Sequence, residues 1–422
     1  MTEDLFQHKT SRREFITTGA VALGGLAFGG SFLEGCGPGS SSSTSVPITV
    51  GNIQDLTGNL NIYGIQQHQA TQLAIDDINK HSGVLGRQLK LVFYDAQSSL
   101  ALYTQYATTL IEKNKAQVIV AGLTSASREA IRPIMDRHDE LYFYCALYEG
   151  GVCDRNVFLM GTTPSQQFGV MIPWAIKNLG KTFYTVAPDY NFGTISAAWV
   201  KKYVEQNGGQ LLGQEFLPLS TSNFGVTINK LETLKPDVVV ALPVGANQTG
   251  FFAQFAAAGL KSKMHIISSN YGSGNQQEAI SPQAGEGIYA IANYFPQVQN
   301  PANTVFKKAW QSKFGNSSSI ISEANDTWNA WHLWAKGVNK AGSLDRNKVL
   351  KALESGLTFD APEGTVALEG TTHHLTHTMH IARGNASHSF DIVETFRNVK
   401  PAYEEQVCDL VKKPDVKKQF TP

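Results

Sequence analysis

Four cysteines are spread through 422 residues, too few and too scattered for a disulfide scaffold. Neither charge sign is in excess, since 35 Lys and Arg balance 35 Asp and Glu. With no basic stripe in the chain, nothing supports a nucleic-acid partner. After the first 36 residues no apolar run is long enough to span a bilayer. The chain also lacks a Gly-x-Ser-x-Gly elbow, a phosphate-binding Gly-x-x-x-x-Gly-Lys and a His-Glu-x-x-His helix. Gly272-Ser-Gly274 reads as a turn without an elbow frame. No catalytic residue, resident metal or cofactor is therefore expected.

The chain does hold enough apolar sequence for more than one core. Apolar residues make up 42% and charged residues 17%, which argues against disorder, and the length exceeds what one core organises. Short β-branched runs alternate with helical spacing from residue 48, and the rhythm restarts after Gly161-Thr-Thr-Pro164. That alternation predicts an α/β fold with two doubly wound parallel sheets. The late segments are too few for a third domain, so they should complete the first two. The expected division is 47–163 plus 295–355 for one lobe and 164–294 plus 356–422 for the other, joined by a hinge of several strands.

The first 36 residues read as a targeting segment. Ser11-Arg-Arg-Glu-Phe-Ile16 matches the twin-arginine export pattern, and a mildly apolar run follows at 19–33. It ends in Leu33-Glu-Gly-Cys36, which is similar to a lipobox with Cys36 as the lipidated residue, although Glu34 is unusual there. Residues 37–46 form a Gly/Pro/Ser linker, flexible by composition. The expected location is the periplasm or the outer face of the cytoplasmic membrane, with a lipid anchor.

Residues 118–153 organise the rest. Val118 to Val120 form a buried strand, Gly122 lets the chain turn, and Thr124 or Ser125 caps the helix that follows. Free N–H groups at that helix start, beside hydroxyls, make a polar floor at a strand's carboxyl end, where open α/β sheets hold ligands. The plainer reading of Thr124, Ser125 and Ser127 is capping alone. Further polar and aromatic residues fall at strand ends: Tyr144, Ala146 and Tyr148 in the first lobe, and Asp189, Tyr190, Phe192 and Asn270 in the second. Facing one another across a cleft, such groups suit a small, polar, mainly neutral ligand.

Cys145 and Cys153 flank a Tyr-Glu-Gly-Gly turn, and an oxidising compartment would let them pair, leaving Cys408 single. The alternative is two buried thiols. Histidines crowd at His373, His374, His377, His380 and His388. His374, His380 and His388 could share one face as zinc ligands, whereas the plainer reading is an exposed polar hairpin.

Taken in order, several stretches resemble the type I periplasmic binding proteins of ABC transporters. They are Leu56-Thr-Gly58, 74–87, Val92-Phe-Tyr-Asp95, Leu123-Thr-Ser-Ala-Ser-Arg128, Tyr144-Cys-Ala-Leu-Tyr-Glu-Gly150, Asp189-Tyr190 and Phe359-Asp-Ala-Pro-Glu-Gly364. The Tyr-Glu-Gly and Asp-Ala-Pro-Glu-Gly stretches point to the urea and short-chain amide branch. The resemblance implies two Rossmann-like lobes that close on a solute and deliver it to a membrane permease, without catalysis. Ser125 matches a ligand-contacting serine, and Tyr144 and Tyr190 match aromatic contacts. Ala146, Phe192 and Cys145 depart from the amide binders, which leaves branched-chain and other amino acids open as ligands. Glu149 and Asp189 would then be the candidate partners for an ammonium group. The expected site is therefore Thr124, Ser125, Tyr144, Tyr148, Asp189 and Tyr190. A ligand sensor acting with a separate partner and an exported amide hydrolase are the remaining readings, and the second lacks a nucleophile and base at suggestive spacing.

Overall fold

The computed structural model describes residues 46–315 and 320–422. The twin-arginine segment, Cys36 and the linker up to residue 45 lie outside the described residues. The chain opens with β1 (Ile48–Gln54), α1 (Asn61–Lys80), β2 (Leu89–Asp95), α2 (Leu100–Glu112), β3 (Ile119–Ala121), α3 (Ser125–His138) and β4 (Tyr142–Tyr144). Two short strands follow, β5 (Val152–Asp154) and β6 (Val157–Leu159). The rhythm restarts with α4 (Pro164–Asn178), β7 (Thr182–Pro188), α5 (Asn191–Gln206), β8 (Gln210–Leu217), α6 (Gly225–Leu234), β9 (Val238–Ala241), α7 (Ala246–Ala257) and β10 (His265–Ser268). Next come α8 (Gln276–Ala279), α9 (Pro282–Gly285), β11 (Tyr289–Ala292), α10 (Pro301–Phe314), α11 (Ser322–Ala341) and α12 (Arg346–Leu353). The last part holds β12 (Thr358–Ala361), β13 (Gly364–Glu369), β14 (His374–Gly384), β15 (Phe390–Val399), α13 (Ala402–Val407) and β16 (Lys417–Gln419).

The central strands are short and apolar because helices cover both their faces. β9 is Val-Val-Val-Ala and is buried throughout. Parallel pairing in the order β2-β1-β3-β4-β6 builds the first lobe, and β11-β10-β9-β7-β8 builds the second. β14 joins them. Its first residues pair with β6 and β13, and its remainder pairs with β11 and β15. The two lobes therefore share one strand, and the chain also crosses between them after β6 and after β11.

α1 and α11 pack side by side on the first lobe, where Trp310, Trp331 and Trp334 are buried in one core. The Trp331 indole N–H donates to Thr71 Oγ1 at 3.1 Å, so the ring buries its area without stranding a donor. The expected lobe boundary at 356 is displaced. Leu357, Ala361, Val366, Leu368 and Leu375 join this first core, because β12 and β13 hang from the near end of β14.

The expected Cys145–Cys153 pair does not form. Cys153 bonds to Cys408, 255 residues away, and Cys145 is a free buried thiol. Cys145 directly follows β4 inside the first core, where burial pushes its pKa well up. Cys153 lies on β5, which pairs antiparallel with β16 in the returning tail. The tail thus crosses back from the second lobe to the first.

Candidate functional site

The cavity between the lobes grows from the start of α3. β3 ends at Ala121, Gly122 turns the backbone at φ +81°, and Thr124 caps α3 by accepting from the Ser127 N–H at 3.1 Å. The first N–H groups of α3 have no intrahelical acceptor and carry the positive end of its dipole. Around them lies about 420 Å³ of space, partly continuous with solvent, lined by Tyr63, Ser125, Tyr144, Tyr190, Asn270 and Glu323 among others. Leu123, Ala146, Leu147, Phe192 and Val244 supply apolar wall.

Four of the six expected residues meet here: Thr124, Ser125, Tyr144 and Tyr190. Two do not. Tyr148 is buried behind the wall, where its ring receives the Arg128 guanidinium at 4.8 Å and its hydroxyl meets His374 Nε2 at 2.5 Å. Asp189 is exposed and stands outside the cavity, in the turn before α5. Glu149 is equally unsuited to meet an ammonium group. It is buried and bonded to Arg128 Nη2 at 2.6 Å, to Ser125 Oγ at 2.5 Å and to Gln419 Nε2 at 2.6 Å. Burial would raise its pKa, but Arg128 and these hydrogen bonds outweigh that and hold the carboxyl below its ordinary value.

Tyr63 and Glu323 line the cavity without having been singled out in the sequence, and Ser273, read there only as part of a Gly-Ser-Gly turn, joins them. Glu323 opens α11, is 2% exposed, and accepts from Ser273 and Ser322 hydroxyls. Burial pushes its pKa up to about 7. Its sequence context, Ile321-Ser-Glu-Ala, is an ordinary helix start, and only the fold aims it at the cleft. Tyr63 bridges the lobes: its hydroxyl accepts from the Gly245 N–H at 3.2 Å and from Gln276 Nε2 at 2.9 Å. The Ser273–Glu323 bond makes a second bridge. The lobes are closed on each other at these points.

Hydrogen-bond direction gives the cavity a definite polarity. A serine hydroxyl has one proton, and Ser125 donates its own to Glu149, so Ser125 Oγ can only accept. The Tyr144 hydroxyl likewise donates to the Leu123 carbonyl. Glu323 is a third acceptor. Donors are the α3 N–H groups and the Tyr63 hydroxyl, which accepts two bonds and keeps its proton. No Lys, Arg or His lines the cavity.

The histidine-rich segment is not an exposed hairpin. His373, His374, His377 and His380 are buried on or beside β14. His374 Nδ1 faces the Thr372 carbonyl at 2.7 Å, so that nitrogen carries the proton and Nε2 accepts from Tyr148. Its pKa falls to about 3 through burial. Among the described residues no group of three His, Cys, Asp or Glu is placed to hold a metal ion.

Residues 47–389 match the model of the periplasmic binding protein family. The chain belongs to this family. A leucine-, isoleucine-, valine-, threonine- and alanine-binding protein of Pseudomonas aeruginosa is 26% identical over 323 residues, 74% of this chain and 83% of that protein. The fold recurs in an amino acid ABC transporter substrate-binding protein from Pseudomonas fluorescens Pf-5, with a TM-score of 0.78, 21% identity, and 87% and 100% of the two chains covered. It recurs also in an ABC transporter solute-binding protein of Rhodopseudomonas palustris BisB5 in complex with 3,4-dihydroxybenzoic acid, with a TM-score of 0.74, 22% identity, and 85% and 99% covered. These relatives are binding proteins rather than enzymes. Family membership carries the expected α/β, two-lobed architecture and a small-solute cleft between the lobes. It also implies export to the periplasm. Among the described residues no helix is long and apolar enough to cross a membrane.

Proposed function

We propose that this periplasmic binding protein is the solute-capturing subunit of an ABC importer and that its ligand is a short-chain amide of the urea and amide class. The polarity of the cavity carries the ligand class. Ser125 Oγ, the Tyr144 oxygen and Glu323 all accept, while the α3 N–H groups and Tyr63 donate. An amide presents a carbonyl oxygen to the donors and N–H groups to the acceptors. Urea matches the polar ends alone, and a short apolar body also covers Leu123, Ala146, Leu147 and Val244. Closure over the ligand brings Tyr63 to Gly245 and Ser273 to Glu323, and the closed form is the one offered to the permease. Residues 1–36 act as the twin-arginine export signal in this reading, and lipid on Cys36 holds the protein at the membrane face.

A second reading is favoured by Glu323 itself. A buried carboxylate on the cavity wall would pair with the ammonium of an amino acid, and the Pseudomonas aeruginosa relative is named for amino-acid binding. The amino acid's carboxylate would then rest on the α3 N–H groups with no lining cation to help. Thermal unfolding of the purified protein against acetamide, propionamide, urea, L-alanine, L-leucine and benzoate separates the readings. A rise in midpoint with the amides supports the first. A rise with amino acids alone replaces it with the second.

A further inference from the structure

Ser125 is tied to the far C-terminus through one buried carboxylate. In β16, Gln419 lies opposite Val152 and Lys418 opposite Cys153. The Phe420 N–H donates to the Gly151 carbonyl at 2.8 Å. Gly151 holds φ +79°, and a Cβ there would stand 1.8 Å from the Phe420 carbonyl oxygen, so only glycine lets the tail come this close. From that position Gln419 Nε2 donates to Glu149 Oε1 at 2.6 Å and to the Gly150 carbonyl at 3.0 Å. Glu149 Oε1 also accepts from Arg128 Nη2, and Oε2 accepts a hydrogen bond from the Ser125 hydroxyl. Arg128 Nη1 is buried and has no hydrogen-bond partner. It is an idle donor beside a carboxylate that Gln419 holds in place.

We propose that Glu149 and Gln419 are positioning residues that fix Ser125 as a hydrogen-bond acceptor, and that the Cys153–Cys408 bond secures the tail that brings Gln419 there. The consequence is selectivity: the cleft favours solutes that present N–H to Ser125 over solutes that present a carboxylate. The inference rests on the amide reading for the sign of the preference. Without Gln419, the Glu149 carboxylate is free to turn towards Arg128 Nη1 and take a two-point guanidinium pair. The Ser125 hydroxyl is then released to donate into the cleft. The tail needs its covalent bond because its own core is small: Cys153, Cys408 and Leu410, flanked by Val407, Val416 and Phe420. Glu404 of α13 adds hydrogen bonds from the Gly151 N–H at 3.0 Å and Ser165 Oγ at 3.3 Å.

Calorimetric titration of acetamide and L-alanine into the wild type, Gln419→Ala and the double variant Cys153→Ser/Cys408→Ser tests this. Either variant should weaken acetamide about tenfold, the scale of one hydrogen bond, while L-alanine holds or tightens. Equal weakening of both solutes, or an unchanged ratio, overturns the relay and leaves the amide reading standing. A wild type that binds L-alanine but not acetamide overturns the amide reading. In that case the relay requires tighter L-alanine binding in Gln419→Ala, and unchanged binding overturns it. If the wild type takes neither solute, amide hydrogen exchange in the first turn of α3 decides. Faster exchange in Gln419→Ala supports the relay, and unchanged exchange ends it.

Discussion

Glu323 couples the cavity to pH. Burial raises its pKa from 4.5 to about 7, so the folded ligand-free chain keeps a proton that the unfolded chain loses in that window. The stability carried by that proton is present below about 4.5 and is lost as pH climbs through about 7. Glu323→Gln should flatten this part of the stability curve, measured by urea unfolding at several pH values. An amide N–H favours the charged carboxylate, so amide affinity should rise from about pH 6 to about pH 8, and Glu323→Gln should remove the rise and cost about 2 kcal/mol of binding. Calorimetry across that range is the check. Tyr63→Phe leaves the Gly245 N–H and Gln276 amide without their acceptor only when the lobes are closed. It should weaken ligand binding by about 1–2 kcal/mol in calorimetric titration. None of this shows in the sequence around Tyr63 or Glu323, because each becomes a site residue through a partner more than 180 positions away or through burial by the other lobe.

At the scale of elements, α3 was the most legible. A buried strand, a glycine and a capping hydroxyl in a row are local signals, and Thr124 caps the helix as its position implied. Thr124→Ala should cost about 1 kcal/mol of stability in denaturant unfolding. The tail was the least legible. Cys145 and Cys153 are close in sequence, which made them the natural pair, but β4 buries the first in the core while β5 presents the second to β16. Partner choice followed strand pairing across 255 residues. Cys408→Ser should cost about 3 kcal/mol in urea unfolding, an effect matched by adding reductant to the wild type. Cys145→Ser should leave that reductant effect unchanged. The histidines of β14 fared similarly. Their crowding was visible, but their burial and their pairing with Tyr148, Glu363 and Thr395 depend on which strands flank β14.

At the scale of the whole molecule, the lobes are connected by the shared β14, by the crossings after β6 and β11, and by the returning tail. A solute present at 100 times its dissociation constant should stabilise the protein by about 2.7 kcal/mol if it binds only the folded form. Scattering from the liganded protein should show a smaller radius of gyration than from the ligand-free protein, and equal radii would mean that closure does not depend on ligand. The amino-acid sequence by itself determined the alternation of strand and helix, the two α/β lobes, the capped helix start and four of the six expected site residues that the cavity brings together. Those features follow from side-chain period and local capping, which short stretches encode. Only the tertiary structure decided that Asp189 and Tyr148 stand outside the cavity, that Glu323 enters it, that Cys153 takes Cys408, and that the Ser125 hydroxyl donates to Glu149. Each of those outcomes depends on which distant segments are brought together, and on where a buried group finds the partner that its desolvation demands.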